Sequence, residues 1–505
     1  MKPKLWPFLT LLVVMSMLIL IGCAPASPEA PKEAPAVATE APATEAVATE
    51  APATEAPVAE ATEAPAEPAA GEPVKVTIFV GFGTGTKAKQ MEVHEQLAEE
   101  FNSTHSDIQI EFLHVPGEEH IAKFSTMLAA DSAPDLIMPT GVKGVAEFYE
   151  EWLDITPYLE RDNYDMSDFY EGALRLHRYP NKVVGLPIGV YPSVIYYNED
   201  LFDAAGLDYP PHEFGAPYAG GDPWTYDKLV EVAKELSLDA DGNSASSPDF
   251  DPENMVQWGW NGWEWTSFRA FPAKFGGSNL GVTEDLKTAE NNAQAWVEAM
   301  QWNTDTIWTW HIRANMDQAD AAYWGGSASD PMGSGMLGMW ETFSWMSWAW
   351  WDWSDLFNWD VAAIPTGPHG DLVAPINGDT FAIPKSAHHP DEAWEVAKWL
   401  LEPEILARLA QNYGCIPARA SLANEWISGA QEDFPDVDFQ VFIDSIEYAD
   451  YPQHEQWIPN FAKIDDAQER TLETMVTGEN TNVQELMDNL NAEVQGYLDE
   501  YWASQ

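Results

Sequence analysis

Residues 74–86 read VKVTIFVGFGTGT, a β-branched and aromatic run that ends in a loop carrying three glycines. The run 74–80 has the composition of a buried strand, and the glycines stop it. Downstream, Met91, Leu97 and Phe101 recur at helical spacing across 87–102, and 108–115 (IQIEFLHV) reads as a second strand. Ile121, Phe124 and Leu128 mark another helix, and 135–139 (DLIMP) a short buried strand. Strand, helix, strand, helix, strand predicts parallel pairing through right-handed crossovers, an α/β fold. Ligands of such sheets sit beyond the carboxyl ends of the strands, which puts Phe82, Thr84 and Thr140 at the expected mouth. The loop lacks the spacing of a dinucleotide or phosphate loop, since Thr86 stands where a final glycine would be. Its glycines fit a tight turn, or a backbone that approaches a small polar ligand.

Upstream of this body, Lys2 and Lys4 precede an almost continuously apolar stretch, 5–21, and then Gly22 and Cys23. Charge order and length are those of a secretory signal over 1–22. Its end resembles the lipobox of bacterial lipoproteins, where a peptidase cuts before a cysteine linked to diacylglycerol. That resemblance implies lipidation of Cys23 and a protein anchored at the outer face of the cell membrane by this lipid alone. Cys415 is the other of two cysteines and is then left without a disulfide partner. Residues 23–73 repeat alanine, proline, threonine and glutamate, as in 51–68 (APATEAPVAEATEAPAEP), with too little apolar surface to offset the entropy of ordering. They predict a tether that reaches about 150 Å at roughly 3 Å per residue when stretched.

A chain of 505 residues exceeds what one core usually organises, so more than one domain is expected. With 82 acids against 24 lysines and arginines, the formal charge is −58. Such a surface repels phosphate backbones and anionic lipid, which argues against nucleic acid partners and electrostatic membrane binding.

Further along, motifs carry a resemblance. APDLIMP (133–139), WLDITPYLE (152–160), GLPIGVYPSVIYYNEDLFDAAGL (185–207), DPWTYDKLVEVAKEL (222–236), GDTFAIPKSAHHPDEAWEVAKWLLEPE (378–404) and GCIPAR (414–419) follow in order. The chain resembles the extracellular solute-binding proteins of ABC importers, in the family that includes maltose- and glycerol-phosphate-binding proteins. The stretch 185–207 is the most specific match, and the proline- and glycine-rich insertion 209–221 departs from the pattern. The resemblance implies a periplasmic-binding-protein-like clamp of two discontinuous α/β lobes with hinge strands near 188–196, 361–365 and 400–403. One lobe would hold 74–187 plus 366–400, the other 188–365 plus 401–505. It further implies a monomer that needs no cofactor or metal, and an ABC permease with its ATPase subunits as partners.

The chain holds 24 tryptophans, concentrated in 258–265 (WGWNGWEW), 302–310 and 336–353 (MLGMWETFSWMSWAWWDW). An indole face stacks on the C–H face of a sugar ring, while acids and amides meet its hydroxyls, so a carbohydrate or oligosaccharide is the expected ligand. A phosphorylated polyol fits less well with so few cations. The resemblance places Trp340 and Tyr191 at ligand positions, with Glu341 beside Trp340 as an acceptor. Trp263 and Trp265 are further ligand candidates. Helical spacing from Thr342 onward assigns Trp345 and Trp348 to a core face, and leaves Trp350, Trp351 and Trp353 buried or at the rim. Asn377, Gly378 and Asp379 lie in the return to the first lobe, where glycine permits close backbone approach. Arg419, Trp457 and Asn460 complete the candidate set. The run Asp239, Asp241, Asn243 starts like a calcium loop, but Ser244 and Phe250 occupy positions that need glycine and glutamate. No nucleophile elbow or zinc helix stands out, so an enzyme is not expected; a secreted hydrolase of carbohydrates, or a surface adhesin or sensor, is the rival reading.

Overall fold

The computed structural model describes residues 72–115, 117–262, 268–321 and 330–505. The leader, Cys23, nearly all of the tether, Trp263 and Trp265 lie outside the described residues.

The first expected strands form where the alternation placed them. Val74–Val80 pairs in parallel with Ile108–His114 (Val74 opposite Ile108) and with Leu136–Gly141 (Ile78 opposite Leu136). The helices Ala88–Thr104 and His120–Ala129 lie between them in the chain. The first helix buries His94, Leu97 and Phe101 and the second Phe124; Leu97, Phe101 and Phe124 face inward as their spacing requires, whereas Ile121 is 41% exposed.

The strand Pro187–Asn198 organises the rest. All of its twelve residues are buried. Its first half pairs antiparallel with Ile376–Ala382 (Tyr191 opposite Asn377) and with Ile416–Pro417. Its second half pairs with Leu337–Phe343 and with Trp359–Ala362, and Leu337–Phe343 continues to Met255–Gly262. The change of partner falls at Pro192 and Ser193. Proline has no N–H to give a ladder, so an interruption there costs the sheet nothing. One continuous strand thus threads two sheets. At Gly189 the ladder runs against Cys415, and a side chain at 189 would strike the Cys415 sulfur. The motif that follows explains its own helix: Asn198 accepts the N–H of Leu201 and caps Glu199–Ala205, and Gly206, at φ 67°, ends it.

Layers cover both faces of the second sheet. Tyr196 and Trp340 are opposite each other on one face, and Trp353 lies over them, 6.1 Å from Trp340. Ile195 and Glu341 are opposite each other on the other face. Tyr226, from the helix Tyr226–Leu236, and Lys274, from the turn Pro272–Phe275, cover that face. Residues 340 and 341 are therefore both buried, although they point in opposite directions. The expected helix from Thr342 does not form there. The strand runs to Phe343, and a 3-10 turn Ser344–Trp348 and the helix Trp350–Ser354 follow.

Among the described residues, no helix is long and apolar enough to cross a membrane.

Candidate functional site: a cleft at the strand ends

A cleft of about 550 Å³ opens where the strands end. The loop after Val74–Val80 supplies Phe82, Gly83 and Thr84, and the end of Leu136–Gly141 supplies Gly141, with Lys143 and Gly144 just beyond. Ile376–Ala382 brings in Asn377, Gly378 and Asp379 near its start, and the long strand brings in Tyr191. The opposite wall is the 3-10 turn, with Trp345, Ser347 and Trp348, and Gln411 to Gly414 and Glu455 close the rim.

The glycine loop is held by Gln90. Its Oε1 accepts the N–H groups of Gly85 (3.0 Å) and Lys87 (3.2 Å). Its Nε2 donates to Thr84 Oγ1 (2.6 Å) and to the carbonyl of Asn412 (2.9 Å). Gly85 sits at φ 105°, a conformation open to glycine. One side chain at the start of a helix thereby fixes two walls of the cleft.

On the floor, the Tyr191 hydroxyl donates to Asp379 Oδ2 at 3.0 Å. Burial raises the Asp379 carboxyl to about 6, and the Tyr191 bond offsets only part of that rise. Tyr413 holds its hydroxyl against His94 Nε2 at 2.8 Å, and burial pulls His94 down to about 3, so the imidazole is neutral at physiological pH. Ser347 Oγ donates to the Gly414 carbonyl at 3.3 Å and joins the tryptophan wall to the rim, while Lys143 Nζ meets Asp465, outside the cleft lining, at 2.8 Å.

Trp345 is half-buried, 5.8 Å from the Tyr191 ring, while Trp348 is 52% exposed. In a 3-10 turn, residues three apart eclipse. The two indoles therefore share a face, as the spacing indicated, but that face is the cleft and not the core. Trp350 and Trp353 are buried; Trp351 is 57% exposed and rests on Phe434.

Six of the expected ligand residues are brought together: Phe82, Thr84, Tyr191, Asn377, Gly378 and Asp379. Thr140 is fully buried just behind the cleft wall. Trp340 and Glu341 are not in the cleft, for the reason given by the sheet's two covered faces. Arg419 donates to the Leu401 carbonyl, to Asp168 and to Tyr164, and lies over the Phe169 ring. Trp457 stacks on Tyr149 at 4.3 Å. Asn460 precedes the helix Phe461–Val476 in a left-handed conformation and donates to the Tyr497 carbonyl. The sequence reading missed Gln90, Lys143, the 411–414 segment and Glu455. Of these, only Gln90 carried a signal, a polar residue one turn into the helix behind the glycine loop. Asp239, considered for calcium, instead accepts the N–H groups of Asp241, Asn243 and Asp251.

These placements set opposite expectations for two tryptophans. Trp340→Ala should cost about 3–5 kcal/mol of stability, as for other large buried aromatics. Trp348→Ala should leave stability within about 0.5 kcal/mol and weaken ligand binding up to about tenfold, the worth of one aromatic stack. Urea unfolding and calorimetric titration of the two variants separate these effects.

Comparison with known proteins fits this geometry. A putative binding protein of Brucella abortus (strain 2308) is 23% identical over 334 residues, 65% of this chain and 73% of the relative. The ABC substrate-binding protein Lmo0181 from Listeria monocytogenes, in complex with cycloalternan, superposes with a TM-score of 0.65 at 20% identity, over 84% of this chain and 99% of that one. Maltose-bound MalE3 of T. maritima gives 0.60 at 22%, again over 84% and 99%. At these identities the structures speak for the fold: a mixed α/β clamp of the periplasmic-binding-protein kind. The model of the bacterial extracellular solute-binding protein family matches residues 85–407, and with most of its length so matched, the chain belongs to that family of non-enzymatic solute-binding proteins of ABC transporters.

Proposed function

We propose that this protein binds a carbohydrate, most simply an oligosaccharide, in the cleft between its lobes and delivers it to an ABC permease from a lipid anchor at Cys23. The observation that carries the reading is the composition of the cleft. Trp345, Trp348 and Tyr191 offer ring faces, and Asn377, Asp379 and Asn412 offer hydrogen-bonding groups beside them. The charged side chains lining it are Lys87 and Lys143 against Asp379 and Glu455, so the formal charges cancel. In a chain of net charge −58 that balance suits a neutral guest. The bound cycloalternan and maltose of the two structural neighbours support the same ligand class.

In this reading one lobe comprises 74–187 with 366–400 and the other 188–365 with most of 401–505. The helix Pro403–Tyr413 and the strand that follows it go with the first lobe, since Tyr413 meets His94, Arg408 meets Glu100 and the Asn412 carbonyl accepts from Gln90. Closure about the long strand would bury the guest and strengthen its hydrogen bonds.

A melting-temperature screen of the purified protein tests the ligand class. At least one mono- or oligosaccharide is expected to raise the melting temperature, because a ligand that binds only the folded state stabilises it by mass action. A rise with amino acids, peptides or polyamines, and none with sugars, overturns the carbohydrate reading.

A further inference from the structure

Behind the cleft floor lies a buried polar cluster that no ligand contact accounts for. Asp450 and His454 have fully buried side chains, with His454 Nδ1 donating to Asp450 Oδ2 at 2.8 Å. The same oxygen accepts the N–H of His454 (2.9 Å) and Asn279 Nδ2 (2.8 Å), while Asp450 Oδ1 accepts the N–H of Ile376 (2.9 Å). Asp450 therefore pins the residue next to Asn377. Between this cluster and the cleft sits Gln453, itself 1% exposed.

The orientation of the Gln453 amide is fixed by two backbone groups whose roles cannot change. The N–H of Glu455 must meet an acceptor, and it lies 2.6 Å from Gln453 Oε1. The carbonyl of Ile376 must meet a donor, and it lies 3.0 Å from Gln453 Nε2. Nε2 carries two hydrogens, and its second goes to Asn377 Oδ1 at 3.2 Å. His454 Nδ1 carries the proton for Asp450, and His454 Nε2, the ring's remaining acceptor, lies farther from Gln453 Nε2, at 3.4 Å, than Asn377 Oδ1 does. With Oδ1 held inward, Asn377 turns Nδ2 the other way. Asn377 lines the cleft, and among the described residues no acceptor meets its Nδ2. Two residues along the same strand face, Asp379 Oδ2 takes the Tyr191 proton and Oδ1 is left as an acceptor.

We propose that Gln453, held by the Glu455 amide and the Ile376 carbonyl, is a positioning residue that locks Asn377 with its NH2 group toward the ligand, so that the cleft reads an acceptor on the ligand at Asn377 and a donor at Asp379. Neighbouring oxygens of a sugar satisfy both: one hydroxyl, ring or glycosidic oxygen accepts from Asn377, and another hydroxyl donates to Asp379. An ammonium group satisfies Asp379 but has nothing to offer Asn377, which sets polyols apart from amines at this position. The inference deepens the carbohydrate reading and rests on it for the ligand, but the orientation of Asn377 stands on the hydrogen bonds alone.

Calorimetric titration with maltotriose and with mannotriose, on the parent protein, Gln453→Leu and Gln453→Glu, tests it. Gln453→Glu keeps the acceptor for the Glu455 amide but replaces Nε2 by an oxygen, which drives Asn377 to turn its NH2 inward. Kd is expected to rise about three- to tenfold in this variant, the worth of one hydrogen bond. Because Gln453 acts through Asn377, the loss in Gln453→Glu should vanish when Asn377→Ala is already present, whereas a merely structural loss would persist in that background. Gln453→Leu should show a loss in the same direction. Equal Kd in all three proteins overturns the inference and leaves the carbohydrate reading standing. If neither trisaccharide binds the parent, neutron diffraction of the unliganded crystal decides the orientation: deuterium on the Asn377 atom that faces the cleft supports it, and deuterium on the atom that faces Gln453 overturns it.

Discussion

Glu341→Ala is expected to destabilise the protein by about 3–5 kcal/mol, because it leaves a buried ammonium without its counter-charge. Glu341 is 6% exposed, is in ion-pair contact with Lys274, and accepts the Tyr226 hydroxyl at 3.0 Å. Burial already pulls the Lys274 ammonium down to about 7. Without Glu341, that amine folds into the core neutral, and folding then releases a proton. The sign follows: between the folded value near or below 7 and the unfolded value of about 10.4, the unfolded chain holds more protons, so the stability of the variant rises with pH across that window. Urea unfolding at pH 6 and pH 9 should show this slope. Glu341→Leu combined with Lys274→Met should recover most of the loss, since a packed apolar pair replaces a buried ionic one at little cost. An unchanged midpoint in Glu341→Ala would mean that the pair is not buried in solution. Ligand affinity of the folded variant should stay at the parent value, because neither residue lines the cleft.

This result bears on how far a sequence can be read. The alternation over 74–139 placed three strands and two helices because period two and period 3.6 each report a buried face. The glycine loop was legible because a strand end in a parallel sheet points at the mouth, whereas Tyr191 came from the family resemblance and Asn377 and Asp379 from the glycine between them in the return to the first lobe. The tryptophan-rich stretch was not legible in the same way. Period three at Trp345 and Trp348 says that the rings share a face, but not whether that face meets core or solvent. Trp340 and Glu341 looked like a ring and an acceptor side by side, yet adjacent residues of a strand point to opposite faces, and helices and loops cover both. The late segments that hold Arg419, Trp457 and Asn460 have no period to read. Gln453 escaped for a related reason: its role depends on two backbone groups, in Ile376 and Glu455, that no side-chain pattern encodes.

Asp379→Asn should show opposite effects on binding and on stability, both set by pH. The carboxyl is raised to about 6 because it is buried and has one donor, the Tyr191 hydroxyl. A raised folded value means that the folded chain holds the extra proton between about 3.9 and 6, so the parent's stability is greatest on the acid side and falls as pH rises through this window. At about 1.4 kcal/mol per pKa unit, the penalty at pH 7 is about 2–3 kcal/mol. The amide carries no charge to bury, so the variant should unfold later than the parent at pH 7 and at about the same point near pH 4. Binding runs the other way. If the ionised carboxylate accepts a ligand hydroxyl, parent affinity should fall about tenfold per unit below pH 6, while Asp379→Asn binds about 10- to 100-fold more weakly at pH 7, the range for a hydrogen bond to a charged group, with a flat profile. Titrations from pH 4.5 to 8 on both proteins measure this. A parent affinity independent of pH would remove Asp379 from the ligand, and a variant no more stable than the parent at pH 7 would mean that water reaches the carboxylate in solution. The destabilising charge and the binding contact belong to one group, which is how a site that must stay empty until its ligand arrives keeps its polarity.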